Sequence, residues 1–203
     1  MLVRRIKWFL FFSIFNIAVY AQTDTSLVLL KSIDSTIITD VKYATRNNFT
    51  KNVLYSSDKV YLRHAAAVQL AKVNQFLKKS FNLRIKVFDG YRPLSVQKFM
   101  WSILPDEKYV ADPAKGSRHN RGCAVDLTLI NSDGFELDMG TPFDDFTEKA
   151  HPGFTGISER AKTNRKILNL AMMQYGFVRM ETEWWHFDYS GWEKYSILDT
   201  PVK

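Results

Sequence analysis

Cysteine is almost missing: Cys123 stands alone in 203 residues. That excludes a disulfide framework within the chain and any cysteine-cluster metal site. Histidine is scarce too, with only His64, His119, His151 and His186. A metal centre here would need histidine and carboxylate ligands together. No basic stripe and no aromatic–basic motif occurs, which argues against a nucleic-acid partner. No repeat and no linker-like stretch divides the chain. Beyond residue 21, no apolar run approaches the ~20 residues of a membrane span.

What is present is an ordinary globular balance, 46% hydrophobic, 24% charged and 14% aromatic. The length suits one domain with a sizeable core. Five Trp, nine Tyr and fifteen Phe suit a filled core and an aromatic-lined cleft.

The first 21 residues read differently from the rest. Arg4, Arg5 and Lys7 form a basic start, and Trp8 to Tyr20 is apolar except for Ser13 and Asn16. The run is short for a membrane span, and Val19-Tyr20-Ala21 resembles a cleavage site. We read residues 1–21 as a secretory signal and 22–203 as the working domain. The expected location is therefore outside the inner membrane, periplasmic or secreted, with no stable membrane anchor after cleavage. The whole chain carries 28 basic and 21 acidic residues; without the three signal cations, 25 remain against 21, a charge of +4.

Within 22–203, Leu27 to Tyr43 alternates in places and predicts extended structure. Thr45 to Tyr55 reads as loop. Leu62, Ala66, Leu70, Val73 and Leu77 recur at helical spacing and predict a helix over 61–81. Leu83, Ile85 and Val87 alternate with Arg84 and Lys86, as in a half-buried strand ended by Asp89-Gly90-Tyr91-Arg92-Pro93. Further helices are expected over 95–103 and 164–175, the latter stopped by Gly176. Strands are expected over 123–130, 177–180 and 184–189, with a turn at Asn131-Ser132-Asp133-Gly134. Helices and strands mix without βαβ regularity, so the expected class is α+β with a mainly antiparallel sheet.

Chemistry-bearing residues concentrate in two segments, Gly116 to Asp126 and Glu183-Trp184-Trp185-His186. They offer His119, Asp126 and His186 as ligands, with Glu183 close by. A catalytic zinc takes three protein ligands and leaves a position for water, and a nearby carboxylate can accept that water's proton. Strand parity puts Asp126 on one face with Ala124 and Thr128. Cys123, Val125, Leu127 and Leu129 fall on the other, which assigns Cys123 to the core rather than to a nucleophile.

Ser117-x-His119-x-x-Gly122-x-Ala124-x-Asp126, followed by Glu183-x-x-His186, resembles the zinc D-alanyl-D-alanine dipeptidases, the VanX family of metallopeptidases. Lys42-Tyr43-Ala44-Thr45 with Asn48-Phe49-Thr50, then Asp89 to Pro93, then Met139 to Asp144, match family signatures in the same order. The resemblance spans about residues 41–188 and implies a Hedgehog/D-Ala-D-Ala-peptidase-like fold. It implies one zinc ion per chain, held by His119, Asp126 and His186, with Glu183 as base and Arg92 facing the tetrahedral oxyanion. It implies that Tyr43, Ser117 and Asp144 gather around the substrate's free amino terminus. Plainer roles stand beside these: Arg92 as a partner of Asp89, Asp144 as a helix cap near Asp145, and Tyr43 as core. His64 and His151 match no ligand position and read as surface or loop residues. The segment between Arg92 and His119 is short for the family and bears on how the pocket is walled.

The expected activity is hydrolysis of the small dipeptide D-Ala-D-Ala to two D-Ala, in cell-wall turnover or scavenging. One alternative is a zinc D,D-carboxypeptidase or endopeptidase acting on peptidoglycan stems, which would lack an anionic amine pocket. Another is a zinc-bearing binding module without catalysis, which would lack Glu183 or Arg92.

Overall fold

Every residue of strand β5, Ala124–Ile130, is buried. A strand covered on both faces belongs at the centre of a sheet. The computed structural model, which describes residues 26–203, puts it there. The secretory segment expected over 1–21 lies outside the described residues.

On one side β5 pairs with β4, Arg84–Asp89, and on the other with β7, His186–Tyr189. Outer strands β2, Ile38–Thr39, and β6, Phe177–Arg179, complete a five-stranded sheet ordered β2-β4-β5-β7-β6. Among the described residues only the β2–β4 pair is parallel. A separate ribbon pairs β1, Leu27–Leu29, with β3, Tyr61–Arg63. The helices are α1, Leu30–Ile33, α2, His64–Phe81, α3, Leu94–Ile103, and α4, Glu159–Gln174. The α+β, mainly antiparallel architecture is as expected. Among the described residues, no helix is long and apolar enough to cross a membrane.

Helices α2 and α4 pack against each other; α2 also meets β4, and α4 meets β5 and β6. Leu70, Val73, Leu77, Ile85, Val87, Leu127, Leu129 and Leu168 are fully buried there. Truncating one such leucine to alanine typically costs ~2–5 kcal/mol. The other face of β5 is different. Asp126 and Thr128 line two separate cavities.

Several element boundaries differ from the sequence expectation. The helix expected from Tyr61 begins at His64, because Tyr61–Arg63 is held as strand: Arg63 N–H donates to Gly122 O and Tyr91 N–H to Tyr61 O, each at 2.8 Å. The 27–43 segment is extended only in part, since α1 and a 3-10 turn over Lys42–Ala44 interrupt it. Helix α4 starts five residues before the expected Asn164, where Ser158 Oγ accepts the Ala161 N–H at 3.0 Å. Trp184 and Trp185 lie before β7 rather than within it. The 45–55 loop and the Asn131–Gly134 turn are found as expected.

Candidate active site

The sheet register assembles the site. Asp126 on β5 stands directly opposite His186 on β7 and Asp89 on β4, so three ionisable residues form one row across three strands. His119 joins from a 3-10 helix, His119–Arg121, just ahead of β5. Gly122 makes that approach possible. Its φ is +69°, and an added Cβ would lie 2.6 Å from a Leu27 methyl.

Hydrogen bonding fixes both rings. Gly90 O can only accept, so His119 Nδ1 donates to it, at 2.7 Å. Asp188 Oδ1, a carboxylate oxygen, likewise accepts from His186 Nε2–H, at 3.0 Å. The opposite nitrogens, His119 Nε2 and His186 Nδ1, then face each other at 3.2 Å. Asp126 Oδ1 lies 3.4 Å from the first and 3.0 Å from the second. All three residues are buried. Two ring nitrogens and a carboxylate oxygen of buried residues converging on one point call for a cation between them. Burial disfavours a charged Asp126, but His119 and His186 outweigh it and hold its carboxyl well below the usual range. Burial likewise disfavours the His186 cation, yet Asp188 and Asp126 raise its pKa well above the ordinary value. In chemistry and placement this nitrogen–oxygen set fits a borderline divalent metal.

Glu183 is buried beside this cluster, with Oε2 4.0 Å from His186 Nδ1. Its turn is pinned by Trp184, whose backbone N–H donates to Ala150 O and whose indole N–H donates to Thr141 Oγ1 at 2.8 Å. Burial pushes the Glu183 carboxyl up to about 8, and Asp126 and Asp144 add to the rise.

Arg92 does pair with Asp89, as the plainer reading held, and it lines the cavity as well. Its Nε and Nη2 donate to Asp89 Oδ2 at 3.1 and 2.8 Å, and Nη1 donates to Gln97 Oε1 at 2.9 Å. Asp89 Oδ1 accepts from the Tyr55 hydroxyl and the Gly90 N–H, each at 2.9 Å. Burial works against the Arg92 charge, but Asp89 overrides it and its pKa rises. Two guanidinium N–H groups remain uncommitted to these partners. Nη2 lies 3.8 Å from Asp126 Oδ2, so the cation sits against the ligand cluster.

Asp144 caps no helix. It occupies a left-handed backbone position, φ 61°, in the loop before the 3-10 helix Glu148–Ala150. Its Oδ1 accepts from the Tyr43 hydroxyl at 3.1 Å and its Oδ2 from the Phe49 N–H at 3.0 Å. Burial pushes its carboxyl up to about 7. Tyr43 is core and site at once: its ring packs edge-on against Phe49, Tyr55 and Phe143 while its hydroxyl reaches Asp144. Ser117 lines the same cavity, and its Oγ accepts the His119 N–H at 3.2 Å.

All eight residues singled out from the sequence line one cavity of about 290 Å³. Tyr109, Val110 and Ala111, from the short segment between Arg92 and His119, form part of its wall. His64 is exposed at the start of α2, and His151 lies in a turn, neither of them in this cavity. Cys123 is buried, its thiol pushed up to about 12 chiefly by burial, which suits the core role expected of it. Sequence reasoning overlooked Gln97, Tyr55 and Asp188. Only Asp188 left a usable signal, since two residues from His186 on a strand means the same face.

The family model for D-ala-D-ala dipeptidases, peptidase M15, matches residues 23–199. The D-alanyl-D-alanine dipeptidase of Escherichia coli (strain K12) is 37% identical over 174 residues, covering 86% of this chain and 90% of that protein. That of Enterococcus faecium is 33% identical, with 81% and 92% covered. That of Enterococcus faecalis (strain ATCC 700802 / V583) is 32% identical, with 80% and 86% covered. With the match running nearly from end to end of the described residues, the chain belongs to the D-Ala-D-Ala dipeptidase family of peptidases.

Proposed function

We propose that this protein is a zinc dipeptidase that hydrolyses free D-Ala-D-Ala to two molecules of D-Ala. The observation that carries the reading is the meeting of His119, Asp126, His186, Glu183, Arg92 and Asp144 in one cavity. His119 Nε2, Asp126 Oδ1 and His186 Nδ1 would hold the metal. When bound, zinc supplies a Lewis acid that polarises the peptide carbonyl and makes water a nucleophile near neutral pH.

The chain's own groups do the rest. Glu183, buried beside the cluster with Oε2 4.0 Å from His186 Nδ1, is placed to take a proton from the attacking water and return it to the leaving amine once a bound cation holds its carboxyl ionised. Arg92 is held by Asp89 and Gln97, so its remaining N–H groups are preorganised for the developing oxyanion. Asp144 and the Tyr43 hydroxyl would bind the substrate's ammonium; the charge of the substrate draws the Asp144 proton off. Ser117 supports His119 through its backbone N–H and offers its hydroxyl to the same cavity.

The buried Asp144 favours a dipeptidase over a peptidase acting on acylated stem peptides. Glu183 and Arg92 favour an enzyme over a binding module. Export is part of the same proposal, supported by the composition of residues 1–21 and by a family match that starts at residue 23. An exported enzyme meets D-Ala-D-Ala outside the cytoplasm, which fits wall turnover or scavenging. The test is D-Ala release from free D-Ala-D-Ala by purified protein supplied with zinc. Release that depends on zinc and on Glu183 supports the proposal, and no release contradicts it.

A further inference from the structure

The two histidines of the metal cluster are held by unlike partners. His119 donates its outer N–H to a neutral acceptor, Gly90 O. His186 donates its outer N–H to a carboxylate, Asp188 Oδ1, at 3.0 Å. Asp188 follows His186 by two residues on β7, so both side chains leave the same face of the strand. Across the sheet, Asp126 stands opposite His186 and the small Ala124 stands opposite Asp188.

Asp188 is itself held. Its Oδ2 lies 3.6 Å from Arg118 Nε, and the Arg118 guanidinium sits over the Trp192 ring at 4.7 Å. Arg118 immediately precedes His119 and its carbonyl accepts the Cys123 N–H at 3.0 Å. The chain Trp192–Arg118–Asp188–His186 therefore ties the backbone beside one histidine to the ring of the other.

We propose that Asp188 is a positioning residue for the metal centre, fixing His186 so that Nδ1 is the nitrogen presented to the ion. This rests on the metal reading above and adds a residue to it. An imidazole has two nitrogens and can turn over. A fixed carboxylate on Nε2–H selects one tautomer and one ring orientation, and makes Nδ1 a stronger donor. Removing it frees the ring to rotate or to carry its proton on the wrong nitrogen. Arg118 and Trp192 keep the carboxylate in place rather than touching the ion.

The experiment is a zinc competition titration against a chromophoric chelator, on the purified protein and on Asp188→Asn, Asp188→Ala and His186→Ala. Asp188→Ala should bind zinc ~10–100-fold more weakly, the range usual for loss of such a partner. Asp188→Asn keeps the shape and loses the charge, and should fall in between. Long-range ¹H–¹⁵N spectra of the zinc-loaded protein should show the His186 proton on Nε2, with that signal shifted in Asp188→Asn. A purely structural role would move neither the zinc affinity of the folded Asn variant nor this signal. Zinc binding by Asp188→Asn as tight as in the unmutated protein overturns the inference alone. Failure of the unmutated protein to bind zinc, or full binding by His186→Ala, overturns the metal reading and this inference with it.

Discussion

His119 and His186, 67 residues apart in the chain, bring Nε2 and Nδ1 to within 3.2 Å of each other. They use different ring nitrogens because their outer nitrogens answer to different acceptors, Gly90 O and Asp188 Oδ1. Asp126 completes the group from the strand between β4 and β7. A proton or a metal ion belongs at this point, and the choice between them sets how the protein behaves with and without zinc.

Removing a ligand and removing the base should therefore look different. His119→Ala should lower zinc affinity by orders of magnitude. Glu183→Ala should keep its zinc and lose ~10²–10⁴-fold in turnover, the usual worth of general-base assistance. Metal analysis after dialysis, alongside kcat, separates the two. Loss of zinc in Glu183→Ala would make Glu183 a ligand instead.

Arg92 has a structural duty besides its place in the cavity. Asp89 is almost wholly buried, and Arg92 is its charged partner at 2.8 Å. Arg92→Ala should destabilise the fold by ~3–5 kcal/mol, since it leaves a buried carboxylate unpaired. Denaturant unfolding should show this even in metal-free protein. Arg92→Ala with unchanged stability would mean that Asp89 finds another partner.

How legible this was depends on the kind of contact. Asp126 could be placed from strand parity alone, and β5 folds as expected because its neighbours bury both faces. The start of α2 could not, because Leu62 fits the helical spacing while Arg63 is claimed by main-chain bonding to Gly122. The bond between Tyr43 and Asp144 spans 101 positions and has no local signature. Family signatures pointed to both residues; spacing pointed to neither. Gln97 was invisible too, since a helical glutamine is ordinary until Arg92 needs a second acceptor.

Two buried carboxyls make the metal-free protein sensitive to base. Burial raises Asp144 from 3.8 to about 7 and Glu183 from 4.5 to about 8. A carboxyl whose pKa is raised on folding stabilises the fold most below its unfolded value, and that contribution is lost as pH climbs through its folded value. Metal-free protein should thus lose stability from about pH 4 to pH 8. Asp144→Asn and Glu183→Gln should each recover ~2–4 kcal/mol at the alkaline end and flatten the curve. Thermal unfolding across pH in the presence of a chelator measures it, and a flat profile in the unmutated protein would contradict it.

The export proposal concerns residues 1–21 alone. Exported protein should begin near Gln22 and be found outside the inner membrane. N-terminal sequencing checks this. A full-length form confined to the cytosol would refute it.

In the proposed reaction, Asp144 is the group that reads a free ammonium. Acylating that amine removes its charge, so Asp144 keeps its proton and the buried ammonium–carboxylate pair never forms, a loss of ~3–5 kcal/mol. That corresponds to ~10²–10³-fold or more in efficiency. The direct measurement is kcat/KM for free D-Ala-D-Ala beside its N-acetyl form, on the zinc-loaded protein and on Asp144→Asn. The free dipeptide should be preferred by at least ~10²-fold, and Asp144→Asn should narrow the gap by weakening the free dipeptide. Comparable kcat/KM for both substrates on the unmutated enzyme would contradict it and make a peptidase of stem peptides the better reading.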